Sequence, residues 1–200
     1  QTCALPIYMI EKNTTKLLAD ISLALFRKNF FGIYHGSISS KIDNDTFTIN
    51  KKDAIFDEID DNYLLTLKMN HKDYSWKFAS IESDVHNAIY NQIHEAKFIA
   101  CGMPPYTTAY SLDHDVLEFD DFFGKEVLGT IKVYDPGDFS TWYDRCSLEI
   151  VKYLKKQDSH IMVIRGIGVY VYDRDINEMI KKIAILENSC RTLGLKKSFV

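Results

Sequence analysis

Excess positive charge, long apolar runs and paired cysteines are all scarce in this chain, and each shortage removes a class of function. Lys and Arg number 24 against 28 Asp and Glu, a formal net charge of −4. No basic stripe with interleaved aromatics stands out, so the electrostatic footprint of a nucleic-acid binder is missing. No apolar run approaches the roughly 20 residues that cross a bilayer, and no membrane partner is expected. No basic segment leads into an apolar one near the N-terminus, so the expected location is the cytoplasm. The cysteines are Cys3, Cys101, Cys146 and Cys190, unevenly spaced and without a Cys-x-x-Cys pair. Neither a disulfide framework nor a zinc knuckle is indicated, and reduced thiols are expected. Four prolines and nine glycines in 200 residues leave no linker rich in either, and no internal repeat is visible. What remains is ordinary for one globular domain, with 46% hydrophobic residues to fill a core.

The opening stretch QTCALPI reads back in frame as CAG-ACG-TGT-GCT-CTT-CCG-ATC, a common sequencing-library adaptor. The expected plan is therefore a non-native leader over residues 1–8, then a single domain over 9–200 beginning at Met9.

Helical and strand patterns alternate after that. NTTKLLADISLALFRKN sets Leu17, Leu18, Ile21, Leu25 and Phe26 near helical spacing, with Asn13 or Thr14 as N-cap. GSISSKI, TFTIN and NYLLTLKM are short β-branched or aromatic runs bounded by Asp and Asn, the pattern of antiparallel strands. A helix is expected from Glu82 to about His94, with Val85, Ile89 and Ile93 on one face. A strand KFIA then runs toward Cys101, and Pro104-Pro105 begins another helix. TIKVYD reads as a strand, and STWYDRCSLEIVKYLKK as a helix capped by Ser140. HIMVIRGIGVYVYD is too β-branched for a helix and reads as two strands meeting at Gly166-Ile167-Gly168. The last helix has Asp175 as N-cap with Glu178 three residues on. This order gives an α/β (α+β) sandwich, a mostly antiparallel mixed sheet flanked by helices.

Several stretches, in order, resemble the class II aldolase/adducin family, typified by zinc-dependent fuculose-phosphate aldolases. HGSIS is similar to the family's Gly-Asn-(Ile/Val)-Ser segment, with Ser37 in the Asn place. ASIESDVH resembles its Pro-Ser-Ser-Glu segment through Ser80, Glu82 and His86. CGMPP resembles its His-x-His-x-Pro strand end, and RGIGVYVYDRDINEMIKKIAILE its Asn-His-Gly segment with the strand and helix that follow. The resemblance implies a homo-oligomer, usually a tetramer, with sites at subunit contacts. It also implies a small phosphorylated or hydroxy-carbonyl ligand held on a three-histidine zinc, which acts as a Lewis acid while a carboxylate shuttles the proton.

The three positions that match the family's histidines here are Cys101, Met103 and Ile167. Isoleucine has no donor atom, and a thioether is a poor partner for zinc, so no metal and no cofactor are expected. A relocated site of Cys101, Glu82 and His86 stays open, because Glu82 and His86 at i, i+4 share a helix face. Where the family places a glycine turn against phosphate, TINKKDA offers Asn50, Lys51 and Lys52 and no glycine. The family's proton-donating tyrosine falls near Phe122, which has no hydroxyl. Glu82 is the acid–base candidate, with the alternative that it simply complements a helix dipole. Ser37 and Ser80 are the ligand-binding candidates, with the alternative that they cap backbone. The acidic run DAIFDEIDD suits a solvated face as well as a hard cation, and GIGVYVYD lacks the third glycine of a dinucleotide fingerprint. Two functions stay open. One is a binding or scaffold domain on the family frame, without zinc-dependent cleavage. The other is a lyase, epimerase or dehydratase with a rebuilt site.

Overall fold

The computed structural model describes residues 4–198, with side chains from Asn13 onward except that of Asp61. The leader's first three residues, Cys3 among them, lie outside the described residues. The opening helix, α1 (Ala4–Arg27), begins well before the expected start, so Asn13 and Thr14 lie within it and cap nothing. The sequence explains this: Pro6 falls in the first turn, where it costs no hydrogen bond, and no glycine or proline interrupts the residues after it. The helix stops at Asn29, whose φ of 61° is left-handed. Asparagine tolerates that conformation, and Phe30 N then donates back to Leu25 O at 3.0 Å.

Three antiparallel strands follow, β1 (Ser37–Lys41), β2 (Thr46–Asn50) and β3 (Leu64–Lys68), the first two joined by a short polar turn and the last two by a longer loop that ends in a 3-10 turn. Next come α2 (Ser83–Gln92), β4 (Phe98–Gly102) and α3 (Pro105–Asp113). The second half adds β5 (Val116–Glu118), a single π-helical turn at Gly124–Leu128 and β6 (Thr130–Tyr134). It closes with α4 (Trp142–Gln157), β7 (Ile161–Ile164), β8 (Gly168–Asp173) and α5 (Ile176–Ser198).

All the strands join one eight-stranded sheet in the order β3-β2-β1-β4-β8-β7-β6-β5. Every neighbouring pair is antiparallel except β6 and β7, which α4 connects as a parallel crossover. The sheet separates two apolar layers, and the strict two-residue alternation of its strands decides which side chain joins which. Ala100, Val163, Val169 and Val171 face α1, α3 and α5. Ile99, Cys101, Met162, Ile164, Tyr170 and Tyr172 face α2 and α4. Burial on both sides explains why the central strands read as continuous apolar runs.

Two capping expectations change. Ser140 lies inside a 3-10 turn, and its N–H donates to Asp138, which is the capping side chain. Asp138 is two residues earlier, where an N-cap side chain reaches that N–H. Asp175 does cap α5 through Asn177 N, but Glu178 pairs with Lys181 instead of reaching back. The N–H of Asp175 that Glu178 would accept is already donated to Asp173.

At the middle of the sheet, β4 and β8 approach so closely that only glycine fits. A Cβ on Gly168, whose φ is +143°, would run into the carbonyl oxygen of Gly102. Gly168→Ala is therefore expected to cost about 3 kcal/mol, from the backbone strain and the overlap together. Gly137→Ala, also at positive φ but with nothing within 4 Å, should cost only about 1 kcal/mol. Urea unfolding midpoints of the two variants check the difference.

Candidate functional site

Cross-strand register places one row of side chains on the α2/α4 face. Ser37 pairs with Cys101 across β1 and β4, and Cys101 pairs with Tyr170 across β4 and β8. Met103 follows β4 directly, and its Cα would be 3.5 Å from a Cβ on Gly168. Ile167 is in the adjoining β7–β8 turn. That turn is held in place by Arg165, whose Nη1 donates to Ser111 O and Leu112 O at 2.9 Å each. Cys101, Met103 and Ile167, far apart in sequence, thus gather at one end of the central strands.

Glu82 reaches this row from above. It occupies the N-cap position of α2 but makes no capping hydrogen bond. Its Oε2 instead accepts from the phenol of Tyr170. The Cys101 thiol is the cross-strand neighbour of Tyr170 on the same face. Burial raises the Glu82 carboxyl above the usual carboxylate range, against the opposing pull of the Tyr170 bond. Burial raises the Cys101 thiol further, helped by the nearby Glu82 charge. The Tyr170 phenol is raised in turn by burial and by the charges of Cys101 and Glu82. Tyr143, 64% exposed at the start of α4, lies close enough to feel Glu82, Cys101 and Cys146. The arrangement offers a polarised carboxyl, a phenol and a thiol to a hydrogen-bonding ligand, with the carboxyl tuned toward acid–base exchange.

The other candidates sit deeper. Ser37 is fully buried, and its Oγ lies 2.8 Å from Nε2 of His86. Nδ1 of His86 lies 2.6 Å from Ser39 Oγ, which is itself 2.6 Å from the Tyr90 hydroxyl. Ser80 is buried too, and its Oγ accepts from Glu82 N at 3.3 Å while its carbonyl accepts from Ser83. Asn50 is committed to backbone, accepting from Ile38 N and donating to Lys51 O. Phe122 is 70% exposed in the helical residues that lead into the π turn. In the acidic run, Ala54, Phe56 and Ile59 turn inward and leave Asp57, Glu58 and Asp60 exposed.

The rearranged Cys101, Glu82 and His86 ligand set is not formed. Both ring nitrogens of His86 are taken by serines, and the i, i+4 geometry that joins it to Glu82 in sequence points the imidazole into the core. Among the described residues, no three His, Cys, Asp or Glu side chains group closely enough to hold a metal ion. Sequence reasoning missed Tyr170, Tyr143 and Cys146. The usable signal was the strand alternation in GVYVYD, which puts Tyr170 on the same face as Cys101.

The fold is that of the class II aldolases. The family described as Class II Aldolase and Adducin N-terminal domain matches residues 16–193. The chain belongs to this family. It is similar to the L-fuculose-1-phosphate aldolase of Thermus thermophilus, with a TM-score of 0.78 and 19% identity over 90% of this chain and 92% of that one. It is also similar to YgbL of Klebsiella pneumoniae, a putative aldolase/epimerase/decarboxylase, with a TM-score of 0.76 and 19% identity over 92% and 90%. The sugar-phosphate aldolase of Thermotoga maritima aligns with a TM-score of 0.71 and 15% identity over 94% and 97%. At such identities these likenesses speak for the fold. Comparison with curated proteins gave no match.

Burial pushes His86 down to about 3, so it stays neutral in the folded chain. The unfolded chain takes up that proton below its ordinary value of 6.5, so stability falls as pH drops from there toward 3. The loss is expected to reach about 4 kcal/mol, accumulating at about 1.36 kcal/mol for each pH unit crossed. Urea unfolding at neutral pH and near pH 4 should show this slope in the wild type and a flatter one in His86→Gln.

Proposed function

We propose that this chain is a binding or scaffold domain on the class II aldolase frame, one that does not run zinc-dependent carbon–carbon cleavage. The observation that carries the reading is the buried cluster of Glu82, Tyr170 and Cys101, in which Tyr170 donates to Glu82 and faces Cys101 across the strands. Zinc needs deprotonated or neutral-nitrogen donors with a free lone pair. Here burial keeps the thiol and the phenol protonated, and the phenol donates to one oxygen of Glu82. Ile167 supplies no donor and Met103 only a thioether. The donors at these positions do not fit a zinc ion. A partly buried carboxyl, its pKa raised by that burial, beside an exposed tyrosine suits a small hydroxy-carbonyl or phosphorylated ligand instead, bound through hydrogen bonds, with Glu82 as its first contact. Ser37 and Ser80 support that contact from behind, Ser80 by holding the Glu82 backbone and Ser37 by orienting His86 beneath it. The working form in this reading is a cytoplasmic homo-oligomer. Tyr143 and Met103 are exposed beside the site, and a neighbouring copy would cover them.

A second reading has one observation in its favour. A carboxyl raised by burial is what an acid–base shuttle requires at neutral pH, and Glu82 meets that requirement. An epimerase or dehydratase using Glu82 would then be the activity.

Elemental analysis of the purified chain tests the first reading, and a turnover panel separates it from the second. The expected result is well under one zinc, cobalt or manganese per chain. One equivalent, lost in Cys101→Ser, would overturn the proposal. A panel of sugar phosphates and keto-acids should show no turnover with the wild type. Turnover abolished in Glu82→Gln would establish the enzyme reading instead.

A further inference from the structure

On the face opposite Glu82, the C-terminal half of α1, the start of α3 and the middle of α5 enclose a cavity of about 580 Å³. Its floor is apolar, with Ile21, Leu25 and Ile183 contributed from the core. Its rim carries Arg27, Lys28 and Arg191, all exposed. Among the described residues none of the three is ion-paired.

The one acidic lining residue, Glu187, is already committed. Its carboxylate accepts from Tyr106 N at 3.0 Å and from Thr107 N and Thr107 Oγ1 at 2.9 and 2.8 Å. Glu187 therefore satisfies the first turn of α3, with both carboxylate oxygens held against that helix's N-terminal donors. Arg191 lies over the ring of Tyr106, 5.7 Å from its centroid, which positions its guanidinium at the cavity mouth.

We propose that this cavity is a binding site for an amphipathic carboxylate, with a medium-length hydrocarbon or aromatic body on the floor and the carboxylate on the cationic rim. The volume lies within the roughly 300–1,000 Å³ typical of small-molecule sites, and an apolar pocket with a few convergent polar groups is their usual composition. A guanidinium fork matches a carboxylate in two parallel hydrogen bonds, which gives Arg191 the orienting role and Arg27 and Lys28 the longer-range attraction. The inference is independent of the Glu82 reading, because the two sites lie on opposite faces of the sheet and share no residue.

Calorimetric titration with decanoate tests it on the full chain, with decyltrimethylammonium and 1-decanol as companions. Decanoate should bind one to one, and the ammonium at least about tenfold more weakly. Replacing Lys28 and Arg191 by Ala should weaken decanoate about tenfold, the worth of one charge-assisted contact, and leave decanol unchanged. Ala184 lines the cavity from an exposed position on α5, so Ala184→Trp should fill it and abolish binding of all three without disturbing the core. Equal binding of the cation and the anion, decanoate binding that survives Ala184→Trp, or no binding at all would each overturn the proposal. A concentration-dependent dimer that Ala184→Trp dissolves, with no decanoate uptake, would assign the cavity to a second copy and overturn it as well.

Discussion

Everything at the candidate site depends on how closely the backbones of β4 and β8 meet. Gly168 allows an approach to β4 that a side chain there would prevent, and Gly102 gives the same room on its other side to the carbonyl of Phe30, just past the end of α1. Met103 N donates to that same carbonyl at 3.1 Å. Three distant segments of chain are thereby fixed against one another at a single point. The register that follows sets Cys101 opposite Tyr170. Without that register Glu82 would have no phenol to meet, and its carboxyl would be an ordinary helix-start residue.

A second constraint lies one layer down. His86 is fully buried and has a hydroxyl at each ring nitrogen, and the chain continues from Ser39 to Tyr90. A polar network of this kind is favourable only when every member is satisfied, since low dielectric penalises any orphan. Here it fastens α2 to β1, and through α2 it fixes the height of Glu82 above the sheet. The serines that sequence patterning assigns to a ligand are thus tied first to the positioning of the helix that carries the carboxylate.

Much of the fold was legible because its signals are local. Alternation in TFTIN, the Pro-Pro start of α3 and the glycine-flanked turn before β8 each follow from backbone chemistry within a few residues. The three-residue β5 was not legible, because a strand that short has no period to read. The early start of α1 was missed because Asn and Thr invite a cap wherever they stand, yet helical neighbours override them. At the site, the resemblance to the family's motifs brought out Glu82, Ser80 and Cys101. The partner that changes the meaning of Glu82 is 88 residues away, and only the antiparallel register of β4 and β8 reveals it. His86 and Glu82 show the reverse failure: helical spacing placed them on one face, but burial turned one toward serines and the other toward a tyrosine.

Among the described residues, the three buried cysteines are divided between the layers. Cys190 belongs to the core under α1, α3 and α5. Cys101 and Cys146 belong to the core under α2 and α4. Each thiol is shielded by its own set of helices, so it meets a reagent only when that layer opens. The molecule therefore carries a built-in pair of reporters. Labelling of Cys190 tracks loosening of one side of the sheet, and labelling of Cys101 and Cys146 tracks the side that holds the carboxylate. Whether the halves of this sandwich separate together or in turn is written in which thiols react first.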